Sequence, residues 1–261
     1  MINSSKLLLP ALLAVSLSAT PSHAVITALD FGSFMDTANI PTYTITSAQQ
    51  HIADGDDAFS LAGAKSLVVT VGAEGDGGAK ILNDVTYGGV SLTEAVTSGA
   101  QRYSAIYYLN LTGVTLSGSD LVFEWNGNTG GVAGSLFALD TEITVQPGNT
   151  SSVLSVSTAL DVAAGSFVVA AINANNDGTP SLAATSELTD LAYATSGTNA
   201  LSSRQATGYA QITSADPSYL IEFSSQTSPS LTAVEFTAIP EPSAALLGGM
   251  GALLLLRRRR H

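Results

Sequence analysis

The side chains best able to do chemistry in this chain are carboxylates, and several are grouped on glycine-containing segments. The densest group is Asp54-Gly55-Asp56-Asp57, and the segments 74–77 (EGDG) and 173–177 (NANND) offer further oxygen atoms. Ca²⁺ prefers hard oxygen ligands of this kind, although none of the three segments matches an EF-hand loop. The aspartates of the first segment are therefore the metal-ligand candidates. The alternative is that all three segments are ordinary solvated turns and that the chain uses no cofactor.

Nucleophilic and thiol catalysis have little support in the composition. The chain has no cysteine and three histidines, of which only His51 lies away from the chain ends, and no G-x-S-x-G motif places a serine nucleophile. His51 lies between Gln50 and Ile52 in a polar connection and is best interpreted as a solvated loop residue. We therefore predict a protein with no catalytic residues and no enzymatic activity.

Aromatic side chains offer a second binding chemistry. Tyr103, Tyr107, Tyr108 and Trp125 have flat faces on which sugar rings can stack, with neighbouring Asn and Asp residues available for hydroxyl groups. A glycan-binding surface is thus an alternative function. The competing interpretation places Trp125 in the core, because it ends a strand pattern with Leu121 and Phe123 on the same side.

The C-terminal segment combines a proline-bracketed acid, an apolar run and a basic cluster. Pro240-Glu241-Pro242 precedes the uncharged run 243–256, and Arg257, Arg258, Arg259 and Arg260 follow it. Fourteen helical residues rise about 21 Å, less than the roughly 30 Å hydrocarbon core, so this is a short membrane helix. The arginines act as a stop that stays cytoplasmic, which places the preceding chain outside.

The prolines hold Glu241 in extended backbone, the form that a protease binds. Together, the motif, the apolar run and the arginines resemble the PEP-CTERM sorting signal. That resemblance implies that Pro240, Glu241 and Pro242 are recognised by a membrane-embedded exosortase that cuts near them. The alternative is a plain tail anchor with a stop-transfer charge cluster.

The N-terminal segment has the layout of a secretory signal peptide. A basic start (residues 1–6) precedes an apolar stretch (7–19), and Ser22-His23-Ala24 forms a small-x-Ala site. We expect signal peptidase to cut between Ala24 and Val25. The chain then divides into a signal peptide (1–24), one folded body (25–238) and a sorting segment (239–261).

The body is strongly acidic. Residues 25–239 hold four of the nine basic residues and twenty of the twenty-one acidic residues, a net charge of −16. Such a surface repels nucleic acid, which excludes that class of partner.

The sequence of the body predicts β-strands separated by the turn-forming residues Gly, Asn, Ser and Asp. Six segments are short and rich in β-branched or aromatic residues: 67–71, 102–109, 121–125, 167–172, 219–223 and 231–237. Tyr87-Gly88-Gly89-Val90 predicts a tight hairpin, because its glycines accept positive φ angles. The polar stretch 146–152 (QPGNTSS) is predicted as a turn. About ten strands at this spacing indicate an all-β, two-sheet antiparallel sandwich.

The stretch from VTYGGVSLT through AIYYL and LVFEW to GSLFALD resembles an Ig-like or jelly-roll module of secreted bacterial proteins. In such proteins the module is mostly structural or adhesive. The sequence thus predicts an exported, transiently membrane-anchored surface or extracellular-matrix protein, with extracellular polysaccharide as a candidate partner. A glycan- or calcium-dependent binding module is the alternative.

Overall fold

The computed structural model describes residues 24–50, 59–75, 81–98, 102–174, 180–194, 204–224 and 228–240. Within these ranges the chain forms fifteen strands and one 3-10 helix, Ser47–Gln49. The strands are β1 (Ala28–Asp36), β2 (Ile40–Ile45), β3 (Ser66–Gly75), β4 (Leu82–Tyr87), β5 (Val90–Ser91), β6 (Thr93–Ser98), β7 (Arg102–Asn110), β8 (Leu121–Leu139), β9 (Ile143–Val153), β10 (Ser157–Val162), β11 (Phe167–Ala174), β12 (Asp190–Ala194), β13 (Arg204–Gln211), β14 (Asp216–Glu222) and β15 (Ser230–Ala238).

The described strands form three antiparallel sheets. The first has eight strands in the order β5-β4-β8-β3-β7-β6, with β1 and β2 also paired to β8. The second has five strands in the order β12-β13-β11-β15-β9, and the third consists of β10 and β14. The predicted all-β antiparallel class is confirmed, although the described residues form three sheets instead of two.

Strand β8 curls the first sheet into a half-barrel. It is 19 residues long, and its first half pairs with β2 and β4 while its second half pairs with β1 and β3. Between the halves, Gly131 adopts a φ of 136°, which side chains other than glycine rarely accept. The sequence predicted only residues 121–125 as a strand, because the following glycine-rich stretch has the composition of a loop. The strand in fact continues through that stretch.

The curled sheet encloses an apolar cluster, and two further clusters join the sheets. Phe34, Tyr43, Phe123 and Leu136 belong to the cluster inside the half-barrel. A second cluster lies between the half-barrel and the five-stranded sheet and includes Val68, Ile106, Phe137, Phe167 and Phe236. A third lies between the five-stranded and two-stranded sheets and includes Val168, Tyr219 and Ile221. Strands in the middle layers are therefore buried on both faces.

Alternation along the strands follows the predicted pattern. In β8, Leu121, Phe123 and Trp125 are buried in the half-barrel while Glu124 is exposed. The Gly-Gly hairpin is also confirmed: β4 and β5 pair on either side of Gly88 and Gly89, whose φ angles are 55° and 79°. Positive φ at both central residues is the geometry of a primed turn.

The predicted turn at 146–152 is wrong, because these residues belong to β9. The pairing of β9 with β15 shifts register there: Val145 lies opposite Phe236, and Thr150 lies opposite Val234. The extra residues form an irregularity on an edge strand, where Pro147 needs no ladder partner for its nitrogen. A proline and a glycine therefore mark a bulge here instead of a chain reversal.

A substitution at Gly134 tests the packing around β8. A Cβ atom on Gly134 would lie 1.9 Å from the carbonyl oxygen of Thr70 and 2.7 Å from Cζ of Phe34. We expect Gly134→Ala to lower the free energy of unfolding by more than about 2 kcal/mol, since the obstacle is backbone. Gly118→Ala is the matched control, because nothing lies within 4 Å of its added Cβ atom. Equal denaturation midpoints for the two variants would contradict the described packing.

Candidate functional site

The first residues of the described chain are held at one end of the body. Ile26 is fully buried, and its backbone N–H donates to the Gly165 carbonyl over 3.2 Å. The preceding Val25 is 55% exposed, and Ala24 is exposed as well. The predicted cleavage site between Ala24 and Val25 thus lies directly before the first anchored residue. A chain that begins at Val25 keeps all of these contacts.

The last described strand leads directly into the predicted sorting motif. β15 is buried along its whole length and lies between β11 and β9. The N–H of Ile239 still donates to the Glu142 carbonyl over 2.9 Å, and the next residue, Pro240, is exposed. No spacer separates the sheet from Pro240.

Both ends meet at the link between β8 and β9. The N–H of Asp140 donates to the Thr27 carbonyl over 3.1 Å, and the N–H of Thr27 donates to the Asp140 carboxylate over 2.9 Å. Two residues further along, Glu142 holds Ile239. We name this region the terminal end of the body. The opposite region, where β3, β6 and β11 end and β7, β13 and β15 begin, is the distal end.

Several predicted site residues lie outside the described residues. These are Glu241, Pro242, Arg257, Arg258, Arg259, Arg260, the calcium candidates Asp54, Asp56 and Asp57, and His51. Of the sorting motif, the structure describes Pro240 alone. Among the described residues, no three His, Cys, Asp or Glu side chains come together as a possible metal site.

The aromatic residues proposed for sugar stacking are mostly interior. Tyr103, Tyr107 and Trp125 are each at most 5% exposed, and the Tyr103 ring meets the Trp125 indole edge-on at 4.9 Å. Tyr108 points to the other face of β7 and packs edge-on against Phe236 at 5.7 Å. The four rings therefore form no common open face for a sugar. The core interpretation of Trp125 agrees with its position.

Burial raises the pKa of several tyrosine side chains. It raises the pKa of Tyr87 and of Tyr219 to about 12, with nearby carboxylates adding to the effect. Burial also raises the pKa of Tyr43, Tyr103 and Tyr107. The hydroxyl groups of Tyr103 and Tyr107 lie 3.0 Å apart, and Tyr107 donates to the Glu94 carboxylate over 3.2 Å. These phenols stay protonated and neutral at physiological pH.

Among the residues that the structure describes, one acidic side chain is fully buried, and the sequence analysis did not predict it. Glu235, in β15, accepts hydrogen bonds from the Ala163 backbone N–H and from the Asn149 side-chain amide. Asn149 lies in the irregular part of β9, so the bulge supplies a partner for this carboxylate. These two donors satisfy hydrogen-bonding capacity of a carboxyl group that burial removes from water.

The distal half of the interface between the two larger sheets is polar. We name as the polar seam the side chains that face each other there, all at most 1% exposed: Thr70, Ser104, Asn173, Gln205, Thr207 and Thr232. Thr70 bonds to Thr207 and Ser104 to Thr232, each over 2.9 Å. The side-chain N–H groups of Asn173 donate to the carbonyls of Ala73 and Tyr103, both over 2.8 Å. These bonds join the half-barrel to the five-stranded sheet.

Comparison with known proteins gives no relative. No protein-family profile matches the chain. No curated protein matches it, and no solved structure matches it. Within the part of the chain that the structure describes, no helix has the length and apolar character needed to cross a membrane.

The raised tyrosine pKa values predict a loss of stability at alkaline pH. Unfolded tyrosine ionises near pH 10, whereas Tyr87 and Tyr219 stay protonated in the folded state until about pH 12. Above pH 10 the unfolded state binds fewer protons than the folded state, so stability falls as pH rises. We expect a loss of roughly 1 kcal/mol per pH unit for each of these phenols between pH 10 and 12.

Urea denaturation from pH 8 to 12 measures this fall, and absorbance at 295 nm measures phenolate. The five phenols with raised pKa values should ionise only above pH 10 or on unfolding. Full ionisation of all eight tyrosines near pH 10, with native circular dichroism retained, would contradict their burial.

Proposed function

We propose that this chain is a non-enzymatic exported protein of the cell surface or extracellular matrix, sorted by a PEP-CTERM signal. The observation that carries the proposal is the position of the chain ends. Val25 and Pro240 each lie directly beside an anchored residue, and both anchored residues are held at the terminal end of the body. Processing at both predicted sites removes the flanking segments without breaking any described strand.

The proposed sequence of events uses three partners. The signal peptide directs export and is removed by signal peptidase. The apolar run 243–256 then holds the chain in the membrane, with the arginines on the cytoplasmic side. An exosortase-type enzyme recognises Pro240, Glu241 and Pro242 and releases the body to the exterior.

The geometry of the terminal end supports this order. Because Ile239 is paired with Glu142, the chain before Pro240 belongs to a sheet and does not fit a protease cleft that needs free extended backbone. Cleavage is therefore proposed at or beyond Glu241. The anchored body would sit with its terminal end towards the membrane and its distal end away from it.

We propose a structural or adhesive role for the released body, with a sandwich architecture of the jelly-roll or Ig-like kind. Two large sheets that pack face to face through an apolar cluster support that architecture. The distal end, where the described strands β3, β6 and β11 stop, lies away from the membrane in this arrangement, and we propose it as the face that meets partners. Extracellular polysaccharide is the proposed partner, and the net charge of −16 keeps the body soluble and away from nucleic acid.

Replacing the motif tests the sorting proposal. We expect the exported wild-type protein to begin at Val25 and to lack all four arginines by intact mass. We expect Pro240→Ala/Glu241→Ala/Pro242→Ala to stay in the membrane fraction with the arginines attached, because the recognition residues are gone.

The control changes the same residue types within the body, at exposed positions: Glu124→Ala/Pro217→Ala. This variant should be processed and fractionated like the wild type, in the medium or the polysaccharide matrix. Wild-type protein recovered outside the cell with its four C-terminal arginines still attached would contradict the proposal.

A further inference from the structure

The polar seam contains three side-chain atoms that have no hydrogen-bond partner among the described residues. They are Oδ1 of Asn173 and both Oε1 and Nε2 of Gln205. Asn173 is fully buried and Gln205 is 1% exposed. Buried polar atoms in folded proteins nearly always have a partner, supplied by protein or by ordered water.

The three atoms lie in one place. Asn173 and Gln205 are directly opposite each other on β11 and β13, and both side chains face β3 of the half-barrel. There they meet Gly72: a Cβ atom on this residue would lie 2.7 Å from Oε1 of Gln205 and 3.3 Å from Cγ of Asn173. The two amides therefore share a space that exists because residue 72 has no side chain.

The chemistry of these atoms selects the ligand. Two amide oxygens accept hydrogen bonds and one amide nitrogen donates, so a ligand must both donate and accept. The polar seam contains no carboxylate to balance a cation and no basic group to balance an anion, and a buried unpaired charge is costly. The ligand is thus small and neutral, and it both donates and accepts hydrogen bonds. Water has these properties.

We propose that Asn173, Gln205 and the backbone at Gly72 form an internal water site between the two larger sheets. The water accepts from Nε2 of Gln205 and donates to Oδ1 of Asn173. Asn173 is already bound through its nitrogen to the carbonyls of Ala73 and Tyr103. The water therefore joins the two amides of β11 and β13, beside the bonds that Asn173 makes to strands β3 and β7, at the distal half of an interface that is apolar elsewhere.

Thermal unfolding of Gln205→Met in the full chain tests the site. Methionine has nearly the same length and shape but no hydrogen-bonding amide. If water is bound, the substitution removes the Gln205 amide that holds it, and loss of the water leaves Oδ1 of Asn173 unsatisfied, so Tm should fall by about 2–8 °C. If the amide is unpartnered and dry, the substitution removes two unsatisfied atoms, and Tm should stay constant or rise.

Gln211→Met is the matched control, since Gln211 lies on the same strand but is exposed, and its Tm should match the wild type. A Gln205→Met variant with an unchanged or higher Tm overturns the proposal.

A crystal structure of the wild-type chain, at a resolution that reveals ordered solvent, gives a second readout. This structure tests the water site even if Gln205→Met does not fold. We expect a solvent peak about 2.7–3.2 Å from both Oδ1 of Asn173 and the Gln205 amide. A direct bond between the two amides, or no solvent peak between them, overturns the proposal.

Discussion

The continuity of β8 is the constraint on which the rest of the structure depends. This strand pairs with four others, two along each half of its length, so both walls of the half-barrel share it. Its outer residue Phe137 also belongs to the cluster that receives the five-stranded sheet. Breaking β8 would therefore separate the wall that holds β2 and β4 from the wall on which the other sheets pack. The close approach of Gly134 to Thr70 shows how little freedom this arrangement leaves.

The interface between the two larger sheets changes character along its length. At the terminal end it is aromatic and aliphatic, with Phe137, Phe167 and Phe236 in one cluster. Towards the distal end it becomes the polar seam, where hydroxyl and amide groups bond across the gap. Apolar burial supplies most of the free energy of such packing, whereas hydrogen bonds demand a particular alignment of the sheets. The two halves of the interface thus make different contributions, one to stability and one to the relative position of the sheets.

Much of the fold follows from the sequence because the strands in this body are short, alternating and separated by turn-forming residues. The segments 67–71, 167–172 and 231–237 all lie within observed strands, and Gly88 and Gly89 form the predicted hairpin. Local pattern failed at two places. The glycine-rich middle of β8 and the segment 146–152 have the composition of loops, but tertiary pairing keeps them in strands.

The candidate sites could be predicted from the sequence less well than the strands could. The positions of Tyr103 and Trp125 depend on which face of the sheet becomes the inside of the half-barrel, and alternation alone gives two faces without saying which is enclosed. Asn173 and Gln205 are 32 residues apart and meet only through the pairing of β11 with β13. The anchoring of both Thr27 and Ile239 likewise depends on the link between β8 and β9, and no sequence motif encodes it.

The central claim is that both processing segments leave one folded body from the same end, and a distance between spin labels tests it most directly. The chain has no cysteine, so Thr27→Cys/Pro240→Cys places two labels at unique positions. Thr27 contacts Asp140, and Ile239 contacts Glu142. With consecutive Cα atoms about 3.8 Å apart, the labels should lie within about 25 Å. A dipolar distance above about 35 Å, which exceeds the length of a nine-residue strand, would contradict the account.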